Sequence, residues 1–202
     1  MNEMRPSAAA LPAHVAVRAH AERDRTERAP EILARGLVAH VAFVDDGEPV
    51  VIPMTYHADP GEPRRLYLHG GPRGRLMQHL ASGAPVCVAV TLVDGLVYSR
   101  TALDHSVNYR SVVMFARAAA EQPDPEQRRR ILEAMIGRYF AGRTAGVDYA
   151  AIPEAHLRAT ALVALDIERW SAKVREGGPN GPGDDDPTLP GSAGVAPPGA
   201  RS

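Results

Sequence analysis

The chain has 202 residues, 45% of them hydrophobic, and a formal net charge of −1. That is enough apolar material for one ordinary core and too little for two large domains, and the near-neutral balance argues against a nucleic-acid partner. No apolar run approaches the roughly twenty residues of a membrane span, and the first twenty letters lack a signal-peptide core, so a soluble cytoplasmic protein is expected.

Cys87, the single cysteine, sits inside PVCVAV, which excludes an internal disulfide and predicts a buried, inert thiol. Lys173 is the only lysine among 23 Lys and Arg residues. Residues 176–202 carry four acids and one arginine, leaving residues 1–175 at +2.

Residues 1–13 are small, polar or broken by proline and are expected to be loose. TERAPEILARG predicts a short helix with Thr26 as cap, Ile32 and Leu33 facing inward and Gly36 ending it. Two β-rich runs follow around Asp45, Asp46 and Gly47, a hairpin signal. The first run is apolar on both faces and is expected to lie deep. The second is interrupted by Pro53, which cannot donate to a ladder, so an edge or a bulge is expected there.

RRLYLHG predicts a third strand, GPRGRLMQHLASG a helix with Leu76, Met77 and Leu80 on one side, and APVCVAVTLV a fourth strand. DGLVYSRTAL predicts a fifth strand after a turn at Asp94 and Gly95, and NYRSVVMFARAAAEQ a long sixth. DPEQRRRILEAMIGRYFAG is the clearest helix, with Asp124 as cap and Pro125 at its first position. A last strand spans TALVALDIERWSAK. The tail beyond has 13 Gly or Pro among its final 26 residues and is expected to be disordered. Six or seven mostly antiparallel strands with three or four short helices predict a mainly β, α+β barrel.

The segment LYLHGGPRGRLMQHL joins a strand to a helix through Gly70, Gly71 and Gly74, with Arg73 and Arg75 alongside. Unpaired amides at a helix start, approached through glycine and flanked by guanidinium groups, are suited to phosphate. The same letters also fit a plain turn with solvated arginines. They are neither a P-loop nor a G-x-G-x-x-G fingerprint, and Gly71 to Gly74 shares only spacing with an RNA-binding GXXG loop.

Taken in order, VIPMTY, LYLHG, PVCVAVTLVDGLV, NYRSVV and WSAK resemble the pyridoxamine 5'-phosphate oxidase-like flavoproteins, in the flavin-nucleotide-binding branch that includes nitroimidazole reductases. The resemblance runs from about Asp24 to Lys173. It implies an FMN-binding split β-barrel over residues 14–175, assembled as a homodimer with FMN between the subunits.

Carried over residue by residue, the resemblance places Pro53, Met54 and Thr55 at the flavin ring, and His69, Gly70 and Arg75 around the ribityl phosphate, where the loop reading adds Arg73 as a cofactor-binding residue. It makes Asn108, Arg110 and Ser111 a second contacting segment, and brings Trp170 and Lys173 to a flavin from the other subunit. Arg110 equally fits a strand arginine paired with an acid, and Trp170 a core or interface residue. Two letters depart from the pattern: Gly74 replaces a serine or alanine, and Ala116 replaces a glycine.

His69 is the one candidate for a catalytic group. His40, His57, His79 and His105 show no metal-ligand spacing, so no metal is expected. The implied activity is transfer of electrons from a nicotinamide donor to a small acceptor, a nitroaromatic within that class. Alternatives are a flavin-binding module without turnover, or the same fold carrying deazaflavin F420 or haem.

Overall fold

Residues 15–199 are described in the computed structural model. The loose N-terminus expected over residues 1–13 lies outside them. Two single turns of 3-10 helix, Ala21–Arg23 and Thr26–Arg28, lead into α1 (Ala29–Arg35). Ile32 and Leu33 are buried as expected. Thr26 does not cap this helix: its amide and hydroxyl both donate to Asp24 Oδ1, at 3.0 and 2.7 Å. Gly36 ends α1 in extended backbone, and space demands the glycine. A Cβ there would collide with a Val90 methyl and lie 2.6 Å from the Tyr56 hydroxyl.

The strands are β1 (Ala39–Asp45), β2 (Glu48–Met54), β3 (Tyr56–Ala58), β4 (Arg65–Gly70), β5 (Val86–Tyr98), β6 (Ser106–Ala118), β7 (Ala161–Arg175) and β8 (Gly194–Ala196). They form one antiparallel sheet in the order β2-β1-β5-β6-β7-β4-β3, with β8 added to β5. The sheet curls into the expected split barrel, and four α-helices accompany it. Positive φ at Asp46 (50°) and Gly47 (81°) gives the β1–β2 hairpin a two-residue turn that matches strand twist. Pro53 sits on β2, an edge strand of that order, where its missing N–H costs nothing.

The concave side of the sheet closes on α1 and on α2 (Arg75–Ala81), with Val41, Val88, Val90, Val112, Met114 and Leu165 all fully buried. A second cluster, Tyr67, Leu132, Met135, Leu157 and Leu162, lies where β4 and β7 meet α3 (Pro125–Tyr139) and α4 (Glu154–Ala159). α3 starts with the expected cap: Asp124 accepts from the Gln127 amide while the Gln127 side chain accepts from the Asp124 amide.

Three expectations change. β1 buries only the Ala39, Val41 and Phe43 side, and Val44 on the other side is 61% exposed. Asp94 and Gly95 are not a turn: β5 runs straight through them with a β-bulge opposite Asn108 and Tyr109. Their letters favour a turn locally, but the long ladder that the 13-residue β5 makes with β6 outweighs that preference.

The third change is the tail. Over residues 176–199 the expected disorder is replaced by a strap held by polar contacts. Asp184 accepts from Ser99 Oγ (2.6 Å), the Arg100 amide (2.9 Å) and the Gly181 amide (2.7 Å). The Arg100 guanidinium donates to the Leu189 carbonyl at 2.9 Å and also to that of Gly191. Polar bonds to buried Ser99 and half-buried Arg100 compensate for the lack of apolar residues on which the expectation rested.

Candidate functional site

The end of β2, the end of β4 and the start of α2 meet at one corner. A Cβ on Gly70 would touch Met77 at 3.6 Å and Met54 Cε at 3.8 Å, so the Pro53–Thr55 segment lies against the glycine and arginine loop. Gly74 precedes α2 in extended conformation, and no side chain caps that helix. Arg73 is exposed and has no ion-pair partner among the described residues. Arg75, 66% exposed, reaches Asp45 at 3.6 Å, a surface pair that holds it weakly. His69 is half-buried, and its Nδ1 is buried without a hydrogen-bond partner.

The convex face of the sheet forms a second region. Strand register aligns Pro53, His40, Ala89, Val113 and Ser171 in one row across five strands. Thr91, Ser111 and Lys173 make the parallel row two residues along. Residues 15–19 cross the β6–β7 end of this face and enclose a cavity of about 230 Å³ with Ser111, Val113, Ser171 and Lys173. The β1–β2 end stays open, with Val44 61% and Val51 58% exposed.

Residues 25–174 match the family model described as pyridoxamine 5'-phosphate oxidase. The chain belongs to that family. An FAD and haem binding protein from Mycobacterium smegmatis is similar at 34% identity, with 87% of this chain and 83% of that one covered and a TM-score of 0.73. The flavocytochrome Anf3 from Azotobacter vinelandii is similar at 28% identity, with 95% and 86% covered and a TM-score of 0.76. A Bacteroides thetaiotaomicron protein whose name refers to 5-nitroimidazole antibiotic resistance shares the fold, at 24% identity, 73% and 82% coverage and a TM-score of 0.57. No curated protein matches the sequence.

In this pyridoxamine 5'-phosphate oxidase family member, three residues of the flavin-contacting pattern are committed to the protein's own interior. Arg110 donates from Nε and one terminal nitrogen to Asp94 (2.9 and 2.6 Å) and from the other to Glu31 (3.0 Å). The Arg110 hydrogen bond holds the Asp94 carboxyl below its ordinary range, and Asp94 in turn raises the guanidinium. Asn108 donates to the Gly177 carbonyl at 2.9 Å and accepts from Arg175, so it fastens the start of the tail. Trp170 is buried in the main core with the Arg64 guanidinium 4.5 Å above its ring.

His57 is the residue the motifs did not single out. It is 8% exposed, its Nδ1 is buried without a partner, and its ring stacks on Tyr67 with centroids 6.1 Å apart. Alternation along β4 and the pairing of His57 with Tyr67 put His57, Tyr67 and His69 on one side of the sheet. Burial lowers both histidine pKa values, so both rings are neutral at neutral pH. No cluster of three or more potential metal ligands occurs among the described residues. No described helix is long and apolar enough to cross a membrane.

Proposed function

We propose that this chain is a flavin-dependent redox protein that accepts electrons from a nicotinamide donor and passes them to a small acceptor, nitroaromatics included. The carrying observation is the approach of Met54, whose Cε lies 3.8 Å from where a Cβ on Gly70 would sit, which gathers two segments of the flavin-contacting pattern at one corner. Arg73, Arg75 and the amides at the start of α2 would hold the phosphate next to the ribityl chain. Backbone groups of Pro53, Met54 and Thr55 would orient the ring, and neutral His69 can share a hydrogen bond at Nδ1. A bound flavin, FMN in this reading, supplies the hydride chemistry.

The protein works as a homodimer in this reading. Val44 and Val51 are exposed side by side on the convex face of β1 and β2, and a second copy covers such apolar surface at least cost. A monomer mass by light scattering would contradict the assembly.

Haem is a second reading, favoured by one feature: two neutral histidines on one side of the sheet with unpartnered ring nitrogens. Two similar proteins whose printed names include haem or cytochrome add to it. The absorption spectrum separates the possibilities. A flavin band on purification or on adding FMN or FAD supports the proposal, a haem band with heme-loaded protein supports the second reading, and a colourless protein that takes up neither flavin refutes the first. Steady NAD(P)H oxidation by the flavin-loaded protein then distinguishes an enzyme from a binding module.

A further inference from the structure

We infer that the groove between residues 15–25 and the end of β7 binds the diphosphate of a nucleotide. This rests on the flavin-dependent reading for its biological use, but its physical basis is separate. Arg175 is 7% exposed, and its hydrogen-bond partners are the Asn108 side-chain oxygen and, at 3.4 Å, the Gly178 carbonyl. Both are neutral, and among the described residues no carboxylate pairs with it. A guanidinium buried without an opposite charge is costly, and an anion at its open side recovers that cost.

That open side is a cavity of about 580 Å³ between residues 22–25 and 174–180, within the size range of small-molecule sites. The smaller cavity beside Ser111 is lined by the preceding part of the same chain segment, whose Arg25 amide bonds the Ala172 carbonyl at 2.9 Å. Strand alternation puts Lys173 on the same side as Arg175, about 7 Å away along β7.

Five cations line the two cavities, Arg18, Arg23, Arg25, Lys173 and Arg175, against the carboxylates of Glu22 and Glu176. Glu176 is already paired with Arg28 at 2.7 Å, and Glu22 with His20 and Arg23. Positive charge spread over two cavities along one chain segment suits two linked phosphates better than one. The larger cavity has room for the nucleoside. Two molecules of a flavin redox protein carry such a group: FAD, in its adenylate half, and a nicotinamide dinucleotide.

ADP, FMN and FAD titrated into wild-type protein and into an Arg18→Ala/Arg23→Ala double variant test this. Both replaced side chains lie at the rim, and neither belongs to the corner proposed for the flavin's own phosphate. Wild type is expected to bind ADP, and the double variant to lose about tenfold in ADP affinity while FMN affinity stays within about twofold. If ADP competes with FAD, the groove holds the distal half of the flavin. If ADP binds beside saturating FAD, it holds the electron donor.

Absence of ADP binding, with FAD no tighter than FMN, overturns the inference and leaves the flavin reading intact. Equal weakening of FMN and ADP also overturns it. Failure of every flavin to bind, with ADP still bound, sinks the flavin reading alone. Arg175→Met supplies a readout that a merely structural arginine would not give. It is expected to abolish the ADP-induced rise in melting temperature, while loss of the bond to Asn108 lowers the unliganded value, whereas a rise retained by the variant refutes the assignment.

Discussion

Replacing Asp94 by asparagine isolates the charge that holds Arg110 inside the barrel. The Arg110 side chain is 9% exposed and Asp94 31%, and their two hydrogen bonds of 2.9 and 2.6 Å are both charge-assisted. Removing one partner of a fully buried pair costs about 3–5 kcal/mol. Glu31 remains 3.0 Å away on the other terminal nitrogen, and solvent screens part of the Asp94 charge. Those two facts reduce the expected loss to about 2 kcal/mol near neutral pH, or about 4–8 °C in melting temperature for a chain of this size.

The pH dependence has a definite sign. Asp94 has a depressed pKa in the folded state because of its hydrogen bond from Arg110. Its contribution is therefore complete above the unfolded carboxylate value of about 3.9 and disappears as pH falls through the lower folded value. Urea unfolding followed by circular dichroism, at equal protein concentrations and at neutral and acid pH, measures both effects. A neutral-pH loss below about 0.5 kcal/mol, or a loss that stays the same in acid, would show that the pair does not act as described.

Two further outcomes follow from packing and from the tail. Gly36→Ala is expected to lose about 1–3 kcal/mol, because a methyl group there meets Val90 and Tyr56 across a closed interface, and an unchanged melting temperature contradicts that. Asp184→Ala removes the acceptor shared by Ser99, Arg100 and Gly181, so limited proteolysis is expected to cut within residues 176–199 much faster than in wild type, with residues 25–174 left intact. Equal cleavage rates would mean that the strap is held elsewhere.

Local chemistry was the legible part of the sequence. The Asp124 cap, the Asp46–Gly47 turn and the edge position of Pro53, one of the two options read for it, each depend on a few neighbouring residues, and each formed as read. Asp94 and Gly95 misled because the group that uses the aspartate, Arg110, lies 16 residues away on another strand. The tail misled for the same reason: composition registers missing apolar groups but not a single carboxylate that finds Ser99 and Arg100 from 85 and 84 residues away.

At the candidate site, the letters identified Met54 and Gly70, which lie close together, and Ser111 and Lys173, which share the convex face. They could not separate the outward Ser111 from the inward Arg110 beyond simple alternation. Nor could they reveal that Arg175 is buried without a carboxylate, since that depends on what every other chain segment fails to supply.

The attachment of β8 to Leu96, Val97 and Tyr98 also governs how the protein can be handled. Cutting the chain after β7 would strip a row of amides and carbonyls from the far half of β5 and uncover Val97, now 2% exposed. A bare sheet margin of that kind recruits strands from neighbouring molecules. A shortened form would therefore be prone to clump through a surface the intact chain keeps shielded, and binding data collected on it would describe a stickier object.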